Sequence, residues 1–304
     1  MLTLHLLIAR LLKKLHLKPL LILIGEKQMA KRNRSSNRRV IDRRLKEGRG
    51  KGRGQKYQPF LFIQDVASQG LATRAKGWVT GRVHHFLSKL EWLFFLTLEW
   101  MPYLVDIREQ YPLDLDETLA IAKRLGIAHP VDPRTREPIV MTTDFLITTR
   151  TPTGIIELAR TVKYRKDLVS ARVMEKFEIE RVYWQSRGID WKIITEQDID
   201  LTLAANVRWL HRYRWLHAIT PITEETIQRI EAVLRPQLTE ENELPLRDLT
   251  DACDENLGLQ TGASLVVVRY LLANRILEVD MSKLIQPCTK MVLLAAQPAG
   301  VNRE

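Results

Sequence analysis

The chain has 304 residues, with 47 Lys and Arg against 36 Asp and Glu, for a formal charge of +11. That length suits about two domains plus tails. Its two cysteines, Cys253 and Cys288, exclude a disulfide framework and a Cys-rich zinc site, so any metal must be held by oxygen and a reducing cytoplasm fits.

The first stretch, LTLHLLIARLLKKLHLKPLLILIG, is apolar and basic. His5, Arg10, Lys13, Lys14 and Lys18 interrupt it well short of the roughly 20 apolar residues that a spanning helix needs, so no membrane role is expected. As a signal peptide it has only the short apolar block Leu20 to Ile24, with no small-residue cleavage site after it. The simpler reading is an upstream segment ahead of a start at Met29.

Residues 31 to 58 hold 12 Lys and Arg and only Asp42 and Glu47, a net of +10 out of the whole +11. The basicity is local. Its GRGKGRG segment cannot pack a core, and the expectation is a basic extension over residues 1–55 that stays flexible until it meets phosphates. Arg49, Lys51, Arg53 and Lys56 are the expected DNA contacts.

Residues 56–195 read as a mixed α/β domain. GRVHHFLSKLEWLFFLTLEWMP predicts a helix whose Leu87, Leu90, Phe94 and Leu98 follow a 3.6 period and whose end is marked by Pro102. Glu91 sits inside that apolar stripe, where a carboxylate is costly unless paired, protonated or bound to metal. Ser88 and Glu91 also spell a capping box, so the residues alone leave both readings open. YLVDIREQYPL predicts a strand, and LDETLAIAKRLGIAHP a helix capped by Asp116 with Gly126 near its stop.

MTTDFLITTRTPTGIIELARTVKYRKDL, residues 141 to 168, predicts two strands joined at Pro152, Thr153 and Gly154. Pairing Arg150 with Ile155 carries the register to Asp144 opposite Thr161 and Thr142 opposite Lys163. Thr161 and Lys163 then project beside Asp144, at roughly 5 Å directly and ~7–8 Å diagonally. An Asp on one strand and X-x-Lys on the next is the skeleton of a metal-dependent nuclease site, the carboxylate holding Mg²⁺ and the ammonium offsetting charge at the scissile phosphate. Such pairs also arise as solvated neighbours, so the spacing alone is weak. KDLVSARVMEKFEIERVYWQSRG then predicts a long helix packed on the sheet, and IDWKIITEQDI a short strand.

Residues 196–304 change character, with 11 Lys and Arg against 16 Asp and Glu, a net of −5. Three helical patterns, TEETIQRIEAVLRPQ, LRDLTDACDENLG and GASLVVVRYLLAN, precede a possible hairpin of ILEVDM and MVLLAA, which suggests a small winged-helix-like module. Its third helix is nearly all apolar, which favours protein docking over groove reading. NVRWLHRYRWLH before it reads equally as a base-stacking segment or as an amphipathic helix joining the domains. No Walker loop, GxSxG elbow or HExxH helix is present.

The ordered strings EGRGKGRGQKYQPFLFIQDVASQG, TGRVHHFLSKLEWLFF, VDIREQYPLD, VMTTDFL, VKYRKDL and EKFEIERVYWQSRGIDWKIITEQDI resemble TnsA, the endonuclease family of bacterial heteromeric transposases, over roughly residues 30 to 290. The resemblance implies a restriction-endonuclease-like mixed-sheet nuclease domain followed by a winged-helix-like partner-binding domain. It implies cleavage of the 5′ strands at transposon ends, beside a TnsB-type DDE transposase that cleaves and joins the 3′ ends, and contact of the second domain with a TnsC-type AAA+ ATPase. It places the family's metal-binding glutamate on Glu91, its aspartate on Asp144 and its lysine on Lys163, with Mg²⁺ as cofactor and Mn²⁺ able to substitute. The relative's Gln two residues before the lysine is Thr161 here, a shorter and weaker ligand, with the Val162 carbonyl as a further donor. Two other classes remain: a non-catalytic DNA-binding adaptor and a stand-alone restriction or repair nuclease.

Overall fold

The structure, a computed structural model, describes residues 36–66, 72–215, 217 and 221–294. All of these belong to one compact unit spanning Arg34–Glu304. The expectations for residues 1–35, and for the end of MVLLAA, lie outside the described residues.

The mixed α/β architecture expected from the sequence is present. Helix α1 (Arg38–Lys46) is capped by Asn37, whose side chain accepts the Val40 N–H. A short antiparallel pair, β1 (Thr73–Lys76) and β2 (Val83–Phe86), precedes α2 (Lys89–Glu99). Strand β2 corrects the expectation of one helix from Gly81. Val83, His84, His85 and Phe86 alternate exposed and inward in a strand period, and the helix begins only after the Ser88 cap. Strand β3 (Leu104–Pro112) and α3 (Leu115–Leu125) follow, α3 capped by Asp114 in place of the expected Asp116 and stopped by left-handed Gly126.

Strands β4 (Thr142–Thr151) and β5 (Gly154–Val162) form the hairpin, with Arg150 opposite Ile155 as the turn chemistry requires. A 3₁₀ turn (Arg165–Val169), α4 (Ala171–Gln185) and β6 (Asp190–Ile194) complete the sheet, whose order is β3-β4-β5-β6 with only the last pair parallel. Leu90, Phe94, Phe95, Ile107, Phe145 and Ile147 pack the sheet against α2. Leu113, Ile121, Leu146, Ala159, Ile179 and Trp184 pack its other side against α3 and α4.

The two sides exchange residues near the end of β3 and the start of β4. Ile107 lies on the α2 side, whereas Leu113 and Tyr111, which share its odd parity, pack on the α3/α4 side. Phe145 and Ile147 lie on the α2 side, whereas Thr143 bonds Trp184 and Glu180 of α4. The exchange falls at Gln110 and Asp144. Gln110 has φ +49°, a left-handed conformation that breaks the two-residue alternation of a strand. Asp144 therefore lies where side chains from α2 and from α4 can both reach it.

The basic glycine segment is folded, which corrects the flexible reading. Gly50 has φ +79°, and a Cβ there would come within 2.2 Å of Pro112 Cγ at the end of β3. Gly50 N–H donates to Gln58 O, Gln58 N–H to Lys51 O, and Phe60 N–H to Gln110 O. Gly54 N–H donates to Asp106, and Tyr57 OH to Glu109 O. The charge-based reading failed because the contacts that dock the segment on β3 reach up to 52 residues along the chain and draw on backbone groups. Gly50→Ala should cost about 2–4 kcal/mol, combining left-handed strain with overpacking, measurable as a lowered denaturation midpoint.

Four helices, α5 (Leu201–Leu210), α6 (Glu224–Leu234), α7 (Leu246–Leu257) and α8 (Ala263–Ala273), build the C-terminal part around Leu210, Ile230, Leu246, Val268 and Leu271. Among the described residues the expected hairpin is reduced to one bridge, Val279 with Leu293. NVRWLHRYRWLH acts as the joint: Leu96 of α2 packs on Ala204 and Val207 of α5. The His211 ring stacks on Trp78, whose indole N–H donates to His211 O. His211 Nε2 also lies 3.9 Å from the buried Glu99 carboxylate, and burial disfavours the charged form of each. Glu99 is pushed up to about 7 by burial, and His211 down to about 4 by burial and by His84.

Candidate active site

The hairpin, α2 and α4 enclose a cavity of about 360 Å³ lined by Glu91, Asp144, Thr161, Val162, Lys163 and Glu180, among others. Each carboxylate arrives by a different local device. Ser88 Oγ accepts the Glu91 N–H, fixing the start of α2, while the Glu91 carboxylate accepts the Leu87 N–H at 3.0 Å. Glu91 therefore sits at the helix start, where it bonds the Leu87 N–H in place of the Ser88 N–H of a full capping box, and it lines the cavity. Asp144 accepts the Val162 N–H at 2.8 Å, as β4 and β5 part beyond the Phe145–Arg160 pair. Lys163 follows immediately after the end of β5, half exposed, with Nζ 3.6 Å from Asp167.

Thr161 does not point its hydroxyl at Asp144. It is buried, donates to Glu180 and receives the Trp191 indole N–H at 3.2 Å. Glu180, from α4, also accepts the Thr143 hydroxyl at 2.6 Å. The third carboxylate of the cavity therefore comes from a helix, where the strand motif alone suggested a threonine. In the sequence Glu180 is hidden among the alternating charges of EKFEIER, which read as a solvated face.

Gln110 was also missed. Its amide N–H donates to Asp144 at 3.2 Å and to Glu91 at 3.4 Å, while its oxygen accepts the Thr142 hydroxyl at 3.1 Å. Beside it, buried Glu109 is gripped by both Arg82 amine groups, at 2.8 and 2.5 Å, and by His84 at 2.8 Å. Burial alone would raise the Glu109 carboxyl, but His84 and Arg82 outweigh it and hold it well below the ordinary range. That ion cluster anchors β2 to β3 and so fixes the strand carrying Gln110.

The cavity carboxylates behave in the opposite way. Burial and repulsion from Asp144 push Glu91 up, and burial raises Asp144 against the hydrogen bonds from Val162 and Gln110. Burial pushes Glu180 up to about 7. Among the described residues, no three acidic, His or Cys side chains already converge at the spacing of a metal site. The donor set nevertheless fits Mg²⁺. The ion characteristically takes one or two carboxylates with water and substrate phosphate, and Glu91 and Asp144 supply two hard, charge-frustrated oxygen donors around one amide.

The expected DNA contacts divide. Arg49 is buried at 8 % exposure, its guanidinium paired with Asp65 at 2.5 Å and Glu47 at 2.8 Å and bonded to Phe60 O, so it is a structural residue and is withdrawn from the DNA set. Arg53 is exposed but paired with Glu157 at 2.9 Å, and Lys51 and Lys56 are exposed. Among the described residues no helix is long and apolar enough to cross a membrane.

Comparison with known proteins gives this geometry a family. Residues 102–196 match the model of the TnsA-like endonuclease N-terminal domain, and residues 198–281 that of the TnsA endonuclease C-terminal domain. The chain is 38 % identical over 259 residues to the transposon Tn7 transposition protein TnsA of Escherichia coli, covering 84 % of this chain and 90 % of that protein. The chain belongs to the TnsA family of transposition endonucleases.

Proposed function

We propose that this chain is the Mg²⁺-dependent endonuclease subunit that cuts the 5′ strands at transposon ends, beside a TnsB-type transposase that processes the 3′ ends. The observation that carries this reading is the convergence of Glu91, Asp144, Glu180 and Lys163 on one cavity, from both sides of the sheet. Glu91 and Asp144 would hold the ion. When bound, Mg²⁺ or Mn²⁺ supplies Lewis-acid polarisation of the phosphate and a more acidic water.

The remaining work falls to the chain's own groups. The Lys163 ammonium lies at the mouth of the cavity, where it offsets charge that grows on the scissile phosphate. Thr143 and Thr161 aim their hydroxyls at the same Glu180 oxygen, fixing that carboxyl in the wall. With a pKa near 7, Glu180 can hold or release a proton at working pH. Exposed Lys51 and Lys56 supply phosphate contacts that carry no sequence code.

Residues 56–195 form the catalytic module of this reading, and the acidic residues 196–304 a winged-helix-like module that docks a TnsC-type ATPase. A strand-resolved cleavage assay on end-labelled transposon DNA, with the transposase subunit present, tests the assignment. Asp144→Asn should leave the 5′ strand uncut while the 3′ strand is still processed. Unchanged 5′ cutting by this variant would overturn it.

A further inference from the structure

We propose that Gln110 is a positioning residue for the ion: its amide, turned inward by a left-handed backbone, holds Glu91 and Asp144 on one common point. The proposal rests on the metal-dependent reading of the cavity and names a residue that reading does not require.

Four observations meet at this side chain. Gln110 is buried, and φ +49° within a strand is uncommon for a residue with a Cβ. The pairing of β3 with β4 runs Glu109 with Phe145 and Tyr111 with Thr143, and is interrupted at Gln110, which stands level with Asp144. The turned-out carbonyl is not wasted, because it accepts the Phe60 N–H at 3.2 Å from the segment that follows the glycine loop. The side chain donates to one oxygen of each carboxylate, Asp144 Oδ1 and Glu91 Oε2.

The chemistry fixes the orientation of the amide. Two carboxylates need donors, and the Thr142 hydroxyl donates to Gln110 Oε1, so Nε2 must face the acids. A neutral NH₂ group is suited to this task. It draws two mutually repelling oxygens inward without adding a third negative charge, whereas Glu at this place would worsen the repulsion and Leu or Met would release it. Groups that orient ligands in this way typically change metal affinity by about 10–100-fold when removed.

Calorimetry of Mn²⁺ binding to the full chain without DNA, with thermal melting of the same samples, tests this directly. Gln110→Met keeps the length and removes the donor. Gln110→Gly also removes it, and glycine adopts the left-handed backbone without strain, which offsets part of the cost of losing the side chain. Both variants should bind Mn²⁺ about 10–100-fold more weakly than the parent. If either binds as tightly as the parent, the positioning role is overturned. Collapse of the melting temperature in both variants would also overturn it, by showing that the residue serves folding. A parent chain that binds no Mn²⁺ would instead sink the metal-dependent reading itself.

Discussion

Lys163→Ala should lower 5′-strand cleavage about a thousand-fold, the scale seen when a preorganised charge-stabilising group is removed from a developing oxyanion. The fold should be unaffected. The Lys163 side chain is half exposed and, among the described residues, its ion pair is a 3.6 Å contact with Asp167, four residues on, an interaction of about 0.5 kcal/mol or less once screened by solvent. The backbone of this residue is a different matter: its N–H donates to Ile194 O and ties β5 to β6, a bond that alanine keeps. Cleavage measured by strand, together with an unshifted melting curve, separates the two roles. With 3′ joining still active, the variant should yield joined, replicated products in place of simple insertions. Simple insertion at the parental rate would remove Lys163 from the mechanism.

The second large effect is on stability and depends on pH. Glu91, Asp144 and Glu180 all hold their protons more tightly folded than unfolded, mainly because of burial. A carboxyl raised in this way contributes stability that is fully present below its unfolded value, near 4, and that is lost as the pH climbs through its folded value. For Glu180 that folded value is about 7. The metal-free protein should therefore melt lower at pH 8.5 than at pH 5.5. Glu91→Gln removes one of the three charges, and should raise metal-free stability at pH 8.5 by on the order of 2 kcal/mol. Addition of Mg²⁺ should restore the parent at pH 8.5 but help this variant little. A parent whose melting temperature is flat between these pH values, with and without Mg²⁺, would show that the cavity holds no frustrated charge.

How much of this could be read from the amino-acid order follows from how local each cause is. The hairpin was legible because Pro152, Thr153 and Gly154 settle the turn by themselves, and a two-residue period then fixes Arg150 opposite Ile155. Glu91 was legible because a carboxylate in an apolar stripe is anomalous whatever the fold. Lys163 and Asp144 are brought to one cavity as their strands suggested. Glu180 was not legible, since its partners Thr143 and Thr161 lie 37 and 19 residues away and its neighbours in the helix are charged. Thr161 was misjudged for the same reason: alternation says which face a side chain takes, not which group awaits it there. Arg49 was misread because counting charges treats every arginine as solvated, and of its two acids the less exposed one, Asp65, is 16 residues on. The left-handed Gln110 has no signature at all in a string of β-compatible residues, because its conformation is imposed by what packs on the strand.

The docking of the glycine segment also has a meaning for the protein in a crowded cell. Strand β3 ends the sheet, and such an edge normally offers a row of free backbone groups on which another chain can add a strand. Here Arg82 takes the carbonyl of Ile107, Tyr57 that of Glu109 and Phe60 that of Gln110. The outer side of β3 is thus occupied by the molecule's own residues, two of them held in place by the turn that Gly50 and its neighbours make. The basic glycine run, whatever it contributes to DNA, braces two of the residues that cover this edge, and a chain shortened past Gln55 should hold Tyr57 and Phe60 there less firmly and associate more readily through the margin beside the Glu91–Asp144 cavity.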